Sequence, residues 1–279
     1  CVAKSKPRRV IMIIDTHAHL DVEDYSEDLP EVIARAKEAG VKKIFIPSID
    51  LATVDSVIDI CNQYPGYCYP MIGLHPEEVK GEYTEVLRKM KLRLNGAIEA
   101  RKHDEMRIIA VGEVGLDFYW SREFEKEQIL VFEEMMQWSM EKGLPLMIHC
   151  RKAQNEMIHQ MKPYMKELPG GVFHCFTGNI KEAEDFLQFD KFSLGVGGVA
   201  TFKSSHLRED LPKAVPLNRL VLETDSPYMA PAPFRGNRNE SAYVARVWEV
   251  LADAYKVSKE ELAAITNNNV KRIFPLAFV

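Results

Sequence analysis

Cysteine is scarce and scattered: Cys1, Cys61, Cys68, Cys150 and Cys175 make five, an odd number with no CxxC pair. That spacing argues against a disulfide framework and a cysteine-rich zinc module, and it points to a reducing compartment, by default the cytoplasm. No apolar run approaches the roughly 20 residues that span a bilayer, so no membrane partner is expected. The basic segment 1–9 leads into a short apolar run that meets Asp15, a poor match to a secretory signal. The chain begins with Cys1 rather than Met, and Met12 offers a native start. Linkers rich in Gly/Ser or Pro, charge blocks and short-period repeats are missing. So are a Walker loop and a GxGxxG, which leaves nucleotide-cofactor chemistry without support.

Charge of one sign is also in short supply. Lys+Arg number 36 against 41 Asp+Glu, a formal charge of −5. Bulk attraction to nucleic acid or anionic lipid is excluded, whereas a local basic patch is not. The remaining composition, 46% hydrophobic and 28% charged over 279 residues, is that of a globular protein able to bury a large core. Length alone suggests two domains, but an α/β barrel of roughly 250 residues folds as one.

Eight short apolar runs recur at 10–15, 43–47, 67–72, 107–113, 144–149, 171–175, 192–197 and 220–225. Runs without strict polar alternation suit strands covered on both faces, hence a parallel sheet. Helical spacing lies between them. Val32, Ile33, Ala36 and Ala39 share one face of a helix over 29–39, stopped by Gly40. Ile129, Phe132, Met136 and Met140 do the same over 124–142, stopped by Gly143, and the methionines there read as core filler. Short helices are expected at 258–265 and 269–274. Strand-helix alternation of this kind predicts a single (β/α)8 TIM barrel over 12–279, preceded by an extension over 1–11, with a doubly wound open sheet as the alternative.

The histidines and acids carry the chemistry. His17, His19, His75, His149 and His174 fall at or just past predicted strand ends, as do Glu113 and Asp225. Barrel enzymes build their sites at that end, so residues distant in sequence converge on one mouth. In Asp15-Thr16-His17-Ala18-His19 the two histidines are two apart and can face the same side. Such a pair alone is a weak signal, since loop histidines are common. A lone His on an apolar run, such as His149 or His174, is usually a satisfied core residue. Together these four imidazoles and two carboxylates, Glu113 and Asp225, make a site for two divalent ions.

At this point the residues resemble a known family. Asp15-Thr16-His17-Ala18-His19-Leu20, Gly73-Leu74-His75-Pro76, Gly112-Glu113-Val114-Gly115-Leu116-Asp117, Ile148-His149-Cys150-Arg151, His174-Cys175-Phe176-Thr177-Gly178 and Glu223-Thr224-Asp225-Ser226-Pro227 are similar to the strings of the TatD family. These are metal-dependent deoxyribonucleases of the amidohydrolase superfamily. The resemblance runs from Met12 to about Phe274, in the family's order. It implies a distorted TIM barrel, with His17, His19 and Asp225 around one metal, His149 and His174 around the other, and Glu113 bridging them. The family's His-Arg-Gly-Lys-Arg-Asn-Glu-Pro run is here Phe234-Arg235-Gly236-Asn237-Arg238-Asn239-Glu240-Ser241, departing at Phe234, Asn237 and Ser241.

The expected reaction is phosphodiester hydrolysis by a two-metal-activated water, with Asp225 as ligand and general base. The substrate would be DNA, single-stranded or at strand ends, and the cofactor two divalent ions, Zn²⁺ or Mg²⁺/Mn²⁺. Arg151, Arg235 and Arg238 are placed to clamp phosphate, although loop arginines are usually only solvated. His75 would orient substrate or support a ligand, and Glu223 and Asp117 would brace from behind. Phe118-Tyr119-Trp120 could stack bases or simply pack its loop. Cys150 and Cys175 are expected to turn under the helices, and His103, His159 and His206 to lie on the surface. No oligomer is required. Two other readings use the same residues: a hydrolase of small amides, esters or lactones, and a binding protein on a barrel scaffold.

Overall fold

The structure is a computed structural model that describes residues 12–100 and 107–279. The segment 1–11, with Cys1, and the expected surface residue His103 lie outside the described residues. Eight parallel strands stand side by side in chain order: β1 Ile13–Asp15, β2 Val41–Pro47, β3 Cys68–Ile72, β4 Ala110–Asp117, β5 Leu146–Arg151, β6 Gly171–Phe173, β7 Phe192–Val196 and β8 Leu220–Leu222. Each overlaps one of the eight apolar runs. The order never reverses, which rules out the doubly wound alternative. Backbone hydrogen bonds from Thr16 to Leu222 (3.1 Å) and from Asp225 to His17 (2.9 Å) join the two ends of the series, giving a TIM barrel.

Helices fill the crossovers: α1 Leu29–Glu38, α2 Thr53–Gln63, α3 Tyr83–Ala100, α4 Glu125–Lys142, α5 Gln154–Met161, α6 Ile180–Leu187 and α7 Leu207–Ala214, with α8 Val244–Tyr255 and α9 Lys259–Ile273 after the last strand. α4 ends as expected on Gly143, whose φ of 62° is the left-handed conformation that glycine adopts without steric cost. The two short C-terminal helices expected at 258–265 and 269–274 are instead the single α9. The helix runs on through the asparagines at 267–269, where Asn269 Nδ2 donates to the carbonyls of Leu217 (2.7 Å) and Leu220 (2.8 Å).

Strand alternation sorts the core into two layers. Ile44, Ile46, Leu146, Ile148, Leu220 and Leu222 face outward against the helices. Ile14, Phe45, Met71, Met147, Val172 and Val221 face inward, where Val270, Ile273 and Phe274 pack onto them. Two residues further along three strands, the inward position passes from apolar to polar: Met147 to His149, Val172 to His174 and Val221 to Glu223. The hydrophobic layer is therefore the floor of a polar mouth.

Candidate active site

Glu113 is not the end of its strand, as expected, but an interior residue of β4, which continues to Asp117. The β4–β5 register shifts between Val111 and Val114, and the irregularity delivers the Glu113 side chain to the barrel interior. That carboxylate is 2% exposed and stands at the centre of the mouth. Its Oε1 lies 2.7 Å from His174 Nε2, 3.0 Å from His149 Nδ1 and 3.2 Å from His75 Nε2. Its Oε2 lies 3.2 Å from His17 Nε2 and 3.4 Å from His19 Nε2. Asp225 Oδ1 is 3.7 Å from His17 Nε2 and 3.6 Å from His19 Nε2. One oxygen of Glu113 thus faces the His149/His174 pair and the other faces the HxH pair.

The electrostatics fit a cation. The His17 and His174 rings stack with centroids 4.0 Å apart, a contact that protonated imidazoles would oppose. Burial and the neighbouring His174 push the His17 pKa down to about 4. Burial works to raise the Glu113 carboxyl, but the surrounding His174, His75 and His17 hold it well below its ordinary value. Asp225 is likewise held low, burial being outweighed by the His19 hydrogen bond and the nearby imidazoles. Glu113 Oε2 is buried without a hydrogen-bond partner. An orphaned anionic oxygen among imidazole nitrogens is a ready metal position. The chain groups His17, His19 and Glu113, then His17, His174 and Asp225, then His75, Glu113 and His149 as possible metal-holding sets.

The two supporting acids sit behind these donors. Asp117 Oδ2 contacts His149 Nε2 at 2.8 Å, and its Oδ1 accepts the Tyr119 N–H at 2.8 Å. Burial alone would depress the His149 pKa, but the Asp117 and Glu113 carboxylates lift it to about 9. Glu223 accepts the Cys175 N–H and lies 3.8 Å from His174 Nδ1. Burial and the nearby Asp225 push its carboxyl well above the ordinary value.

Asp15, a residue whose role the sequence left unread, is the hub of the β1–β8 seam. Its carboxylate accepts from Thr224 N (2.9 Å) and Thr224 Oγ1 (2.7 Å), which ties the HxH strand to the Asp225 loop. Only its place in the Asp15-Thr16-His17 string signalled it.

Cys175 does not turn under the helices. Its φ of 49° breaks strand alternation, and it lines the central cleft beside His174. Lys152, Asp225 and Met229 are also left-handed non-glycine residues, all on loops at this mouth. Uncommon backbone of this kind collects at sites where side-chain aim matters. Cys150 lines the same cleft while packing against the core. His159 and His206 are exposed, as expected.

The substrate-contact candidates separate. His75 and Arg151 line the cleft of about 510 Å³, and Arg151 lies 3.7 Å over the Tyr119 ring. Arg235 stacks on Phe202 at 4.1 Å, away from the cleft. Arg238 is engaged elsewhere, paired with Asp28 at 2.7 Å and lying over Tyr25. Its neighbours are also structural: Asn239 Nδ2 donates to the Thr224 and Tyr228 carbonyls, and Glu240 pairs with Arg35 at 2.7 Å. Phe234, one of the three departures from the family run, stacks on Tyr243 with centroids 4.1 Å apart. Of Phe118-Tyr119-Trp120, the phenylalanine is buried whereas Tyr119 and Trp120 are 47% and 70% exposed. Trp120 lines the cleft opposite Tyr228 and Met229, exposed residues that the sequence reading passed over.

A (β/α)8 barrel with imidazoles and carboxylates gathered at the C-terminal mouth defines a metal-dependent hydrolase. The chain belongs to the TatD family: the model of the TatD related DNases matches residues 14–275. It is 36% identical over 263 residues to the uncharacterized metal-dependent hydrolase YabD of Bacillus subtilis, covering 94% of this chain and 99% of that protein. It is 30% identical to a 3'-5' ssDNA/RNA exonuclease TatD of Pectobacterium parmentieri, covering 95% of this chain and 100% of the relative. Among solved structures, YjjV, a TatD homolog from Escherichia coli K12, superposes with a TM-score of 0.85 at 30% identity, over 95% of this chain and 99% of that one. No described helix is long and apolar enough to cross a membrane.

Proposed function

We propose that this chain is a two-metal phosphodiesterase acting on single-stranded nucleic acid, DNA first, in which Glu113 would help to hold both divalent ions. The observation that carries the reading is the opposed placement of the Glu113 oxygens, Oε1 toward His149 and His174, Oε2 toward His17 and His19. His17, His19 and Asp225 would hold one ion, and His149 and His174 the other. Nitrogen-rich ligation favours Zn²⁺, whereas phosphate substrates suit Mg²⁺ or Mn²⁺. Bound divalent ions supply Lewis acidity, polarising the phosphoryl group and acidifying the attacking water.

The chain's own groups do the rest. Asp225, held ionised and 14% exposed at the cleft, accepts the proton of the attacking water at Oδ1. Arg151 bonds a phosphate oxygen while its guanidinium face rests on Tyr119. Trp120 and Tyr228, on opposite walls, offer stacking faces to unpaired bases, which a paired duplex would keep inside its stack. The name carried by the Pectobacterium relative, a ssDNA/RNA exonuclease, supports the same substrate class. The four described cysteines are free thiols, in keeping with a reducing, cytoplasmic setting.

The test is metal analysis of the purified protein, followed by cleavage of end-labelled single-stranded DNA with Zn²⁺, Mn²⁺ or Mg²⁺ restored after chelation. Hydrolysis that needs the ion and disappears in Glu113→Ala is expected. Turnover of small esters or lactones with intact DNA would overturn the reading in favour of a small-molecule hydrolase.

A further inference from the structure

The mouth is not symmetric around the metal-ligating residues. On the β3 side the cleft wall carries Glu77 and Glu78; no Lys or Arg among the described residues pairs with either, and the Glu77 carboxylate groups with Asp117 and His149 as a further possible metal-holding set. Lys80, the cation close by in sequence, bonds the Glu77 backbone carbonyl rather than a carboxylate. On the β5–β6 side the wall is Arg151 and Thr177, and from there a trough leads away from the centre. A second hollow of about 230 Å³ shares Arg151, Cys175 and Thr177 with the cleft and adds Lys152. A third, of about 420 Å³, shares Thr177 and Gly178 with the second and ends on Phe202, Ser204 and Ser205.

Phe202 is the residue on which the exposed Arg235 stacks. The trough therefore begins and ends on the same device, a guanidinium laid flat on an aromatic ring: Arg151 on Tyr119 at 3.7 Å, Arg235 on Phe202 at 4.1 Å. Stacking fixes each planar fork while leaving its edge N–H groups free for phosphate oxygens. Two acids lie along the way, Glu182 held by neutral donors with its charge kept and Asp210 paired with a lysine, against the three cations Arg151, Lys152 and Arg235. Glu182 accepts from Gln154 Nε2 at 2.6 Å and from the Asn179 N–H at 2.8 Å, and Asp210 pairs with Lys213 at 3.4 Å.

From this asymmetry we infer that the nucleic acid strand leaves the metal centre in one direction only, along the trough over Arg151 and Lys152 to Arg235. The inference rests on the phosphodiesterase reading above. The Glu77/Glu78 wall disfavours phosphates on the other side of the centre. Arg235 is thereby a binding residue several positions removed from the bond that breaks, and its contribution depends on substrate length.

The experiment measures kcat/KM of the metal-loaded enzyme on single-stranded oligodeoxynucleotides of two to eight nucleotides, for the natural chain and Arg235→Ala. Arg235 is exposed, so the variant should fold, and circular dichroism checks that it does. The natural chain should gain tenfold or more between the shortest and longest strands. Arg235→Ala should lose most of that gain, its deficit shrinking as the strand shortens. Its slope of log kcat/KM against log salt on the longest strand should fall by about 0.7, the loss of one single-strand phosphate contact. A deficit equal at all lengths, or no deficit, overturns the track while leaving the phosphodiesterase intact. Small-ester turnover without cleavage at any length overturns the phosphodiesterase reading, and the track with it.

Discussion

One carboxyl group, Glu113, meets five imidazoles through two oxygens, and no other side chain could do so from this position. Glutamine would keep the volume but replace an anionic oxygen by an amide nitrogen, which has no charge and no lone pair to offer a metal ion. Glu113→Gln is therefore expected to lower activity at least about 100-fold with an unchanged far-UV spectrum. Asp117 acts through His149. Asp117→Asn should weaken metal binding by about 10- to 100-fold in calorimetry, since the imidazole loses the partner that orients it.

Asp15 makes a prediction about pH. Burial, only partly offset by the Thr224 hydrogen bonds, raises its pKa from 3.8 to about 7. The folded state therefore holds this proton more tightly than the unfolded chain. The associated stability is fully present below about pH 4 and is lost as the pH climbs through about 7, at most about 4 kcal/mol in all. Urea titrations of chelator-treated protein should show that decline, and Asp15→Asn should flatten it.

Between single residues and the whole barrel, the geometry of β4 matters most. Gly115 has a φ of 144°, and a Cβ there would lie 1.9 Å from the His149 carbonyl oxygen. The bare backbone lets β4 close on β5, which brings Asp117 to His149. Gly115→Ala should cost at least about 3 kcal/mol by urea denaturation and lower activity as well. What the sequence made legible follows the same division. Periodicity marked every strand, and strand-end position collected His17, His19, His149 and His174, because a period of two survives without tertiary knowledge. It failed where the backbone leaves that period. The irregularity after Val111, the left-handed Cys175 and the unbroken α9 are each decided by contacts from another element. The pairing of Arg238 was hidden for the same reason: its partner Asp28 is 210 positions away.

For the molecule as a whole, the formal charge of −5 is a poor guide to the mouth, where five imidazoles are gathered among buried carboxylates in groups that could hold cations. Ions bound there add charge where substrate would approach. They should also stabilise the fold, by about 2.7 kcal/mol at a free concentration 100 times Kd. That corresponds to a Tm roughly 5 to 10 °C higher than in the chelated protein, readable by calorimetry. A Tm indifferent to Zn²⁺ and Mn²⁺ would speak for a binding scaffold instead.

The seam between β1 and β8 has a consequence for biosynthesis. His17 and His19 are made with the first strand, whereas Asp225 and the Ser226 carbonyl that receives the His19 N–H come only after the eighth. A chain interrupted before that point carries every proposed ligand but Asp225 and lacks the backbone bonds that close β1 on β8. The ligand set is thus complete only once the eighth strand is in place, so metal binding at the HxH pair and closure of the barrel are one event.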